Sequence, residues 1–129
     1  MYIYLFRVKE MNYYKIGISE DPHRRLTQHQ SSIPFTLELV TSYKHAHAKY
    51  LELALLHYYL PCHVRGEWFS FTNKTTPLKA YSYLHTLDMK RCVHTRHIVE
   101  LLGTNVQSQV YTKKHMIRIN KLTKLVLPR

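Results

Sequence analysis

A chain of 129 residues with 45% apolar side chains suffices for one domain with a small appendage and is too short for two full-sized ones. It carries 19 Lys and Arg against 8 Asp and Glu, a formal net charge of +11, and 12% aromatic residues, which exclude a disordered chain and point to a polyanionic partner. No run approaches the roughly 18 apolar residues of a membrane span, and Met1 to Glu10 lacks a signal peptide's apolar block, so a soluble, cytoplasmic chain with no membrane partner is expected.

Tyr2, Tyr4 and Phe6 alternate with Ile3, Leu5 and Arg7; Lys9 to Asn12 interrupts, and Tyr13 to Ile18 resumes the pattern, which predicts an antiparallel hairpin. Gly17 falls near the end of the second strand. Asp21-Pro22 has the form of an N-cap followed by proline at the first helical position, opening a helix to about His29 that brings Arg24, Arg25 and His29 near one another. After the loop Ser31 to Pro34, Phe35 to Tyr43 reads as a third strand. Ala46 to Leu60 is a helix closed by Pro61, so apolar that a central, buried position is expected. Arg65-Gly66-Glu67-Trp68-Phe69-Ser70-Phe71 reads as a turn into a short strand, and Thr76-Pro77 opens a helix to about Leu87. A further helix, Arg91 to Leu102, is stopped by Gly103 in a C′ role.

The fold class expected is α/β: a small, three-stranded, mostly antiparallel sheet flanked by helices over residues 1–88, with a basic helical extension over 89–129. Charge supports that division. Met1 to Glu67 nets +2 and Trp68 to Arg129 nets +9; Leu101 to Arg129 carries Lys113, Lys114, Arg118, Lys121, Lys124 and Arg129 without one carboxylate. Such a segment attracts phosphate backbones by counterion release. Thr95 to Arg118 also has a loose helix-turn-helix spacing, weakened by Thr104 where an apolar residue is usual. Cys62 and Cys92 stand 30 apart with no CxxC and read as reduced, packed thiols; with the histidines around them they lack the paired spacing of a zinc finger.

Glu52 is the most informative residue. Between Lys49 and Arg65 it is the only formally charged side chain, inside a helix that is otherwise nearly all apolar. An ionised acid in such surroundings needs a basic partner such as Arg24 or Arg25, a divalent metal, or an open edge. A hairpin followed by a helix can bring Tyr4, Lys15, Gly17, Arg24 and Arg25 together, and Tyr, Lys and Arg around one acid suit phosphodiester hydrolysis.

These residues are similar in kind and spacing to the GIY-YIG nuclease superfamily, and the chain most resembles its phage-type branch, with a KIG second motif and a GEWF segment. The resemblance covers roughly Tyr2 to Phe71. Tyr2-Ile3-Tyr4 stands for the first motif, Lys15-Ile16-Gly17 for the second, Arg25 for the helix arginine with His29 one turn on, and Glu52 for the metal-binding glutamate. The resemblance implies a metal-dependent endonuclease acting on double-stranded DNA as a monomer or weak dimer, with one Mg²⁺ or Mn²⁺ per active site at Glu52 and no small-molecule cofactor. It implies Tyr4 as or near the general base and Arg25 as the charge neutraliser, and one metal and one nucleophile per chain imply a nick rather than a double-strand cut.

Three departures stand out. Tyr2 replaces the first motif's glycine. Lys15 replaces the second tyrosine and is suited to contact phosphate instead; Tyr14, one residue earlier, should face the other side of the sheet. The asparagine of many relatives has no match, and Glu67 and Trp68 lie in its region, with Glu67 as a candidate support. The alternatives the residues leave open are a DNA-binding module with a decayed site and an RNA-directed nuclease.

Overall fold

The computed structural model describes residues 1–87 and 95–106. The elements run β1 Tyr2–Val8, β2 Tyr13–Ser19, α1 Pro22–Gln30, β3 Leu37–Lys44, α2 Ala48–Tyr58, β4 His63–Arg65, β5 Trp68–Ser70, α3 Thr75–Thr86 and α4 Thr95–Asn105. Every strand pair is antiparallel and the sheet order is β3-β1-β2-β5-β4. The sheet is therefore five-stranded, which corrects the expected three. The short strand expected after the Arg65–Gly66 turn is β5, which joins the sheet; β4 was not expected, and the two form a short hairpin turning at Gly66, whose φ of +58° suits glycine. Three-residue arms are too short to show a period.

Alternation divides the sheet into two faces. Ile3, Leu5, Tyr14, Ile16 and Phe69 lie in the core, together with α2 (Leu51, Ala54, Leu55, Tyr58), α3 (Ala80, Tyr81, Leu84) and α4 (Ile98, Val99, Leu102). Tyr4, Phe6, Lys15 and Gly17 belong to the opposite set, since β1 and β2 pair Tyr4 with Gly17 and Phe6 with Lys15. Helix α1 packs against β1, β2 and β3. It begins as its sequence demands, with Asp21 accepting from the Arg24 backbone N–H at 3.1 Å and Pro22 in the first turn.

Helix α4 runs through Gly103 to Asn105, which corrects the expected stop at Leu102. Thr104 Oγ1 donates to the Glu100 carbonyl at 3.0 Å, Asn105 Nδ2 to the Leu101 carbonyl at 2.9 Å, and the Tyr58 hydroxyl to the Val106 carbonyl at 2.8 Å. These bonds occupy carbonyls that a C′ glycine would otherwise help to cap. Because α4 sits in the same core as α2, the core extends beyond Leu87. Helix α2 is apolar but not buried all round: Tyr50 is 50% exposed, and Glu52, nearly on the opposite side of the helix, is at intermediate burial. Cys62 is buried, as expected of a packed thiol. Lys113, Lys114, Arg118, Lys121 and Lys124, Cys92 and the second half of the helix-turn-helix spacing, 107–118, lie outside the described residues. No helix among the described residues is long and apolar enough to cross a membrane.

Candidate functional site

The site forms where β2 outruns β5. Strand β5 pairs only with Tyr13 to Lys15, leaving the outer edge of β2 open from Gly17 onward. The Ile16 backbone N–H points to that edge and donates to the Glu67 carbonyl at 3.4 Å. Two residues on, the Ile18 N–H points the same way, past the end of β5, and there it hydrogen-bonds Glu52 arriving from α2. An acid on the core-facing helix thus reaches the sheet edge without crossing the core.

Gly17 is required by close approach. A Cβ built on it would run into the Tyr4 hydroxyl and ring, because Tyr4 lies across its strand partner. Tyr4 is 2% exposed and stacks on Phe6 with centroids 4.0 Å apart. Its own carbonyl accepts a buried hydrogen bond from the Tyr81 hydroxyl at 2.6 Å, tying β1 to α3. Burial, then the Glu67 charge, push the Tyr4 hydroxyl up to about 12; Arg25 pulls it down and Glu52 adds a smaller rise. Tyr4, Arg25, Glu52 and Glu67 therefore share one electrostatic neighbourhood.

Lys15 lies two residues before Gly17 on the same face. Its Nζ is 3.1 Å from His29 Nε2 and 3.5 Å from Glu67 Oε2, on a side chain only 13% exposed. A lysine ammonium only donates, so His29 accepts through Nε2 and carries its proton on Nδ1 as a neutral imidazole. The electrostatics agree, since burial, then Lys15 and Arg25, lower the His29 pKa. Phe6 packs edge-on against the His29 ring at 6.2 Å. Trp68 stands directly across from Lys15.

Glu52 is the perturbed acid of the cluster. Burial, then the Glu67 charge, raise it from the ordinary 4.5 to about 7, against Lys49, Lys15 and the Ile18 N–H. Among the described residues no ion pair neutralises it. The expected partners Arg24 and Arg25 do not do so: Arg25 acts electrostatically on Tyr4 and His29, and both arginines line a groove of about 440 Å³ with Ile18, Asp21 and Gln28. An acid beside an open sheet edge, raised by burial and by a second carboxylate nearby, suits a hard divalent cation that keeps most of its waters. A cation demanding several protein ligands is not served: among the described residues no group of three or more His, Cys, Asp or Glu is placed to hold one. The donor set therefore fits Mg²⁺ or Mn²⁺ at Glu52 and does not fit zinc.

All five candidates, Tyr4, Lys15, Arg25, His29 and Glu52, meet at this edge, drawn from β1, β2, α1 and α2. Sequence reasoning missed the reach of Glu67, which acts on Tyr4, Lys15, His29 and Glu52 at once. Its position at a hairpin tip opposite Lys15 was the available signal. It also missed the Ile18 N–H and the Tyr81 hydroxyl, which no motif marks. Tyr14 cannot replace Lys15: it is fully buried on the other face, edge-on to Phe71 at 5.4 Å. A larger groove, about 540 Å³, lies between α3 and α4 and contains none of these residues.

No curated protein and no solved structure matches the chain. A comparison with protein families matches residues 1–80, from the first strand through the first half of α3 and so across every residue of the cluster, to the T5orf172 domain. Since that match spans more than half of the 129 residues, the chain belongs to the T5orf172 domain family.

Proposed function

We propose that the protein is a GIY-YIG-type endonuclease that hydrolyses one phosphodiester bond of double-stranded DNA, nicking one strand per encounter. The family is associated with phage-type nuclease and DNA-binding proteins. The observation that carries the reading is that Arg25 and Glu52, from two further elements distant in sequence, both act electrostatically on Tyr4, which packs against Gly17. Glu52 would hold one Mg²⁺ or Mn²⁺, which when bound would neutralise phosphate charge and stabilise the leaving oxygen. Arg25 neutralises charge that grows on the phosphate in the transition state. Lys15, fixed between His29 and Glu67, points an ammonium at the same region in place of a tyrosine hydroxyl. Tyr4 keeps its proton at neutral pH, so its hydroxyl orients the attacking water by hydrogen bonding and takes that water's proton only as the phenolate, after giving its own proton to solvent, a loss that Arg25 favours.

The basic stretch Lys113, Lys114, Arg118, Lys121 and Lys124 supplies sequence-independent grip on the backbone in this reading, with Arg24 doing so at the groove beside the site. Supercoiled plasmid incubated with the protein and Mg²⁺ or Mn²⁺ tests the proposal. Open-circle product that disappears with Glu52→Ala supports it. Tight DNA binding without product under any divalent cation refutes it, and cleavage of RNA in preference to DNA moves the substrate to RNA. Removing residues after Gln107, which spares the Tyr58 to Val106 bond and α4, should lower DNA affinity and flatten its salt dependence.

A further inference from the structure

On the sheet face that carries Tyr4 and Lys15, a groove of about 240 Å³ opens beside the cluster, lined by Val8, Tyr13, Ile33, Val64, Trp68 and Arg65. Five of the six are apolar or aromatic. Tyr13 and Val64 are 41% and 52% exposed, so their apolar surfaces lie open to solvent. The groove runs between the end of β1, the start of β2, the loop after α1 and the β4–β5 hairpin. Tyr13 is two residues from Lys15 on the same strand face, and Trp68 is the strand partner of Lys15. The groove therefore begins on the order of 7 Å along β2 from the ammonium that holds His29.

We infer that this groove receives one unpaired nucleobase of the bound DNA, stacked on Trp68 and Tyr13 with Arg65 at its rim, next to the phosphate to be cut. The inference rests on the nuclease reading for its substrate. In a protein of net charge +11 the partner is a polyanion, and the part of a nucleic acid that leaves water for an aromatic slot is the flat face of a base. The volume lies below the roughly 300–1,000 Å³ of pockets for drug-sized ligands and suits one planar ring system. Arg65 is its only charged lining residue and matches a backbone phosphate or a base face. A base that leaves the stack also frees the flanking backbone to bend toward the Gly17 edge, which links the slot to the site.

Trp68 is the chain's single tryptophan, so its emission, excited at the red edge where tyrosine does not absorb, reports the slot directly. The titration is done in EDTA, so that no bond is cut, with three duplexes of one sequence: fully paired, with one unpaired base, and with an abasic residue at that place. Anisotropy of labelled DNA follows binding. The unpaired-base duplex is expected to quench Trp68 and to bind about 5- to 100-fold more tightly than the abasic one, a preference reduced by the exposed-residue variants Tyr13→Ser and Val64→Ser. Equal quenching by all three duplexes, binding without quenching, or no binding overturns the inference. A concentration-dependent emission shift without DNA, with a dimer in sedimentation, gives the groove to a second copy and also overturns it. Nicking without quenching leaves the nuclease reading and removes the slot; quenching without nicking keeps the slot and removes the nuclease reading.

Discussion

Replacing Glu52 with glutamine should stabilise the protein above neutral pH while abolishing nicking. The acid is raised from 4.5 to about 7, burial being the largest cause and the Glu67 charge the next. The sign follows from linkage: the folded state prefers the protonated acid, so that stabilisation is complete below about pH 4.5 and is lost as pH rises through about 7. At about 1.36 kcal/mol per pKa unit the full effect would be slightly more than about 3 kcal/mol. The carboxylate is only partly buried and solvent screens it, which leaves about 1–2 kcal/mol. Glutamine keeps the shape and the acceptor for the Ile18 N–H but never ionises. Urea denaturation of both proteins at pH 5 and pH 8, in EDTA, measures the difference. The variant should gain about 1–2 kcal/mol at pH 8 and much less at pH 5. Equal stabilities at pH 8, or a variant less stable there, would mean that the acid is satisfied in the fold and that no strain is held for a cation. Excess Mg²⁺ at pH 8 should close the gap by stabilising the parent alone.

Further outcomes follow from the same geometry. Gly17→Ala should cost about 1–3 kcal/mol, because the added carbon meets the Tyr4 ring; in a double-mutant cycle with Tyr4→Ala the two losses should be less than additive, and strict additivity would refute the contact. Lys15→Met removes the second-largest influence that lowers His29, so the His29 pKa should rise in an NMR titration, and an unmoved value would deny the Lys15–His29 contact. Tyr81→Phe should lose about 0.5–1.5 kcal/mol with the buried hydrogen bond that its hydroxyl donates to the Tyr4 carbonyl, read as a lower urea midpoint with an unchanged slope.

The cluster is not built for stability. A half-buried acid beside a second carboxylate, a tyrosine pressed against a glycine and a lysine held between histidine and glutamate are poor choices for packing alone. Each is consistent with residues kept ready for a charged ligand, and each variant that relaxes the site should leave the protein more stable and less active.

The chain's local physics was readable from its residues. Period-two alternation gave β1 and β2 and the face of each side chain, so Tyr4, Lys15 and Gly17 fell together and Tyr14 apart. Asp21-Pro22 gave the start of α1, and one acid among apolar residues marked Glu52. What tertiary packing decided was where separate elements meet. The three-residue arms of the β4–β5 hairpin are too short for a period, yet their pairing sets where β2 loses its neighbour, and that open edge admits Glu52 to the Ile18 N–H and Glu67 to the whole cluster. Gly103 reads as a stop, yet side-chain bonds to the last carbonyls and the packing of α4 on α2 carry the helix past it. Sequence patterns fix what each residue can do within its own strand or helix; which strand ends first, and what reaches through the gap, depends on contacts between parts of the chain that no local pattern connects.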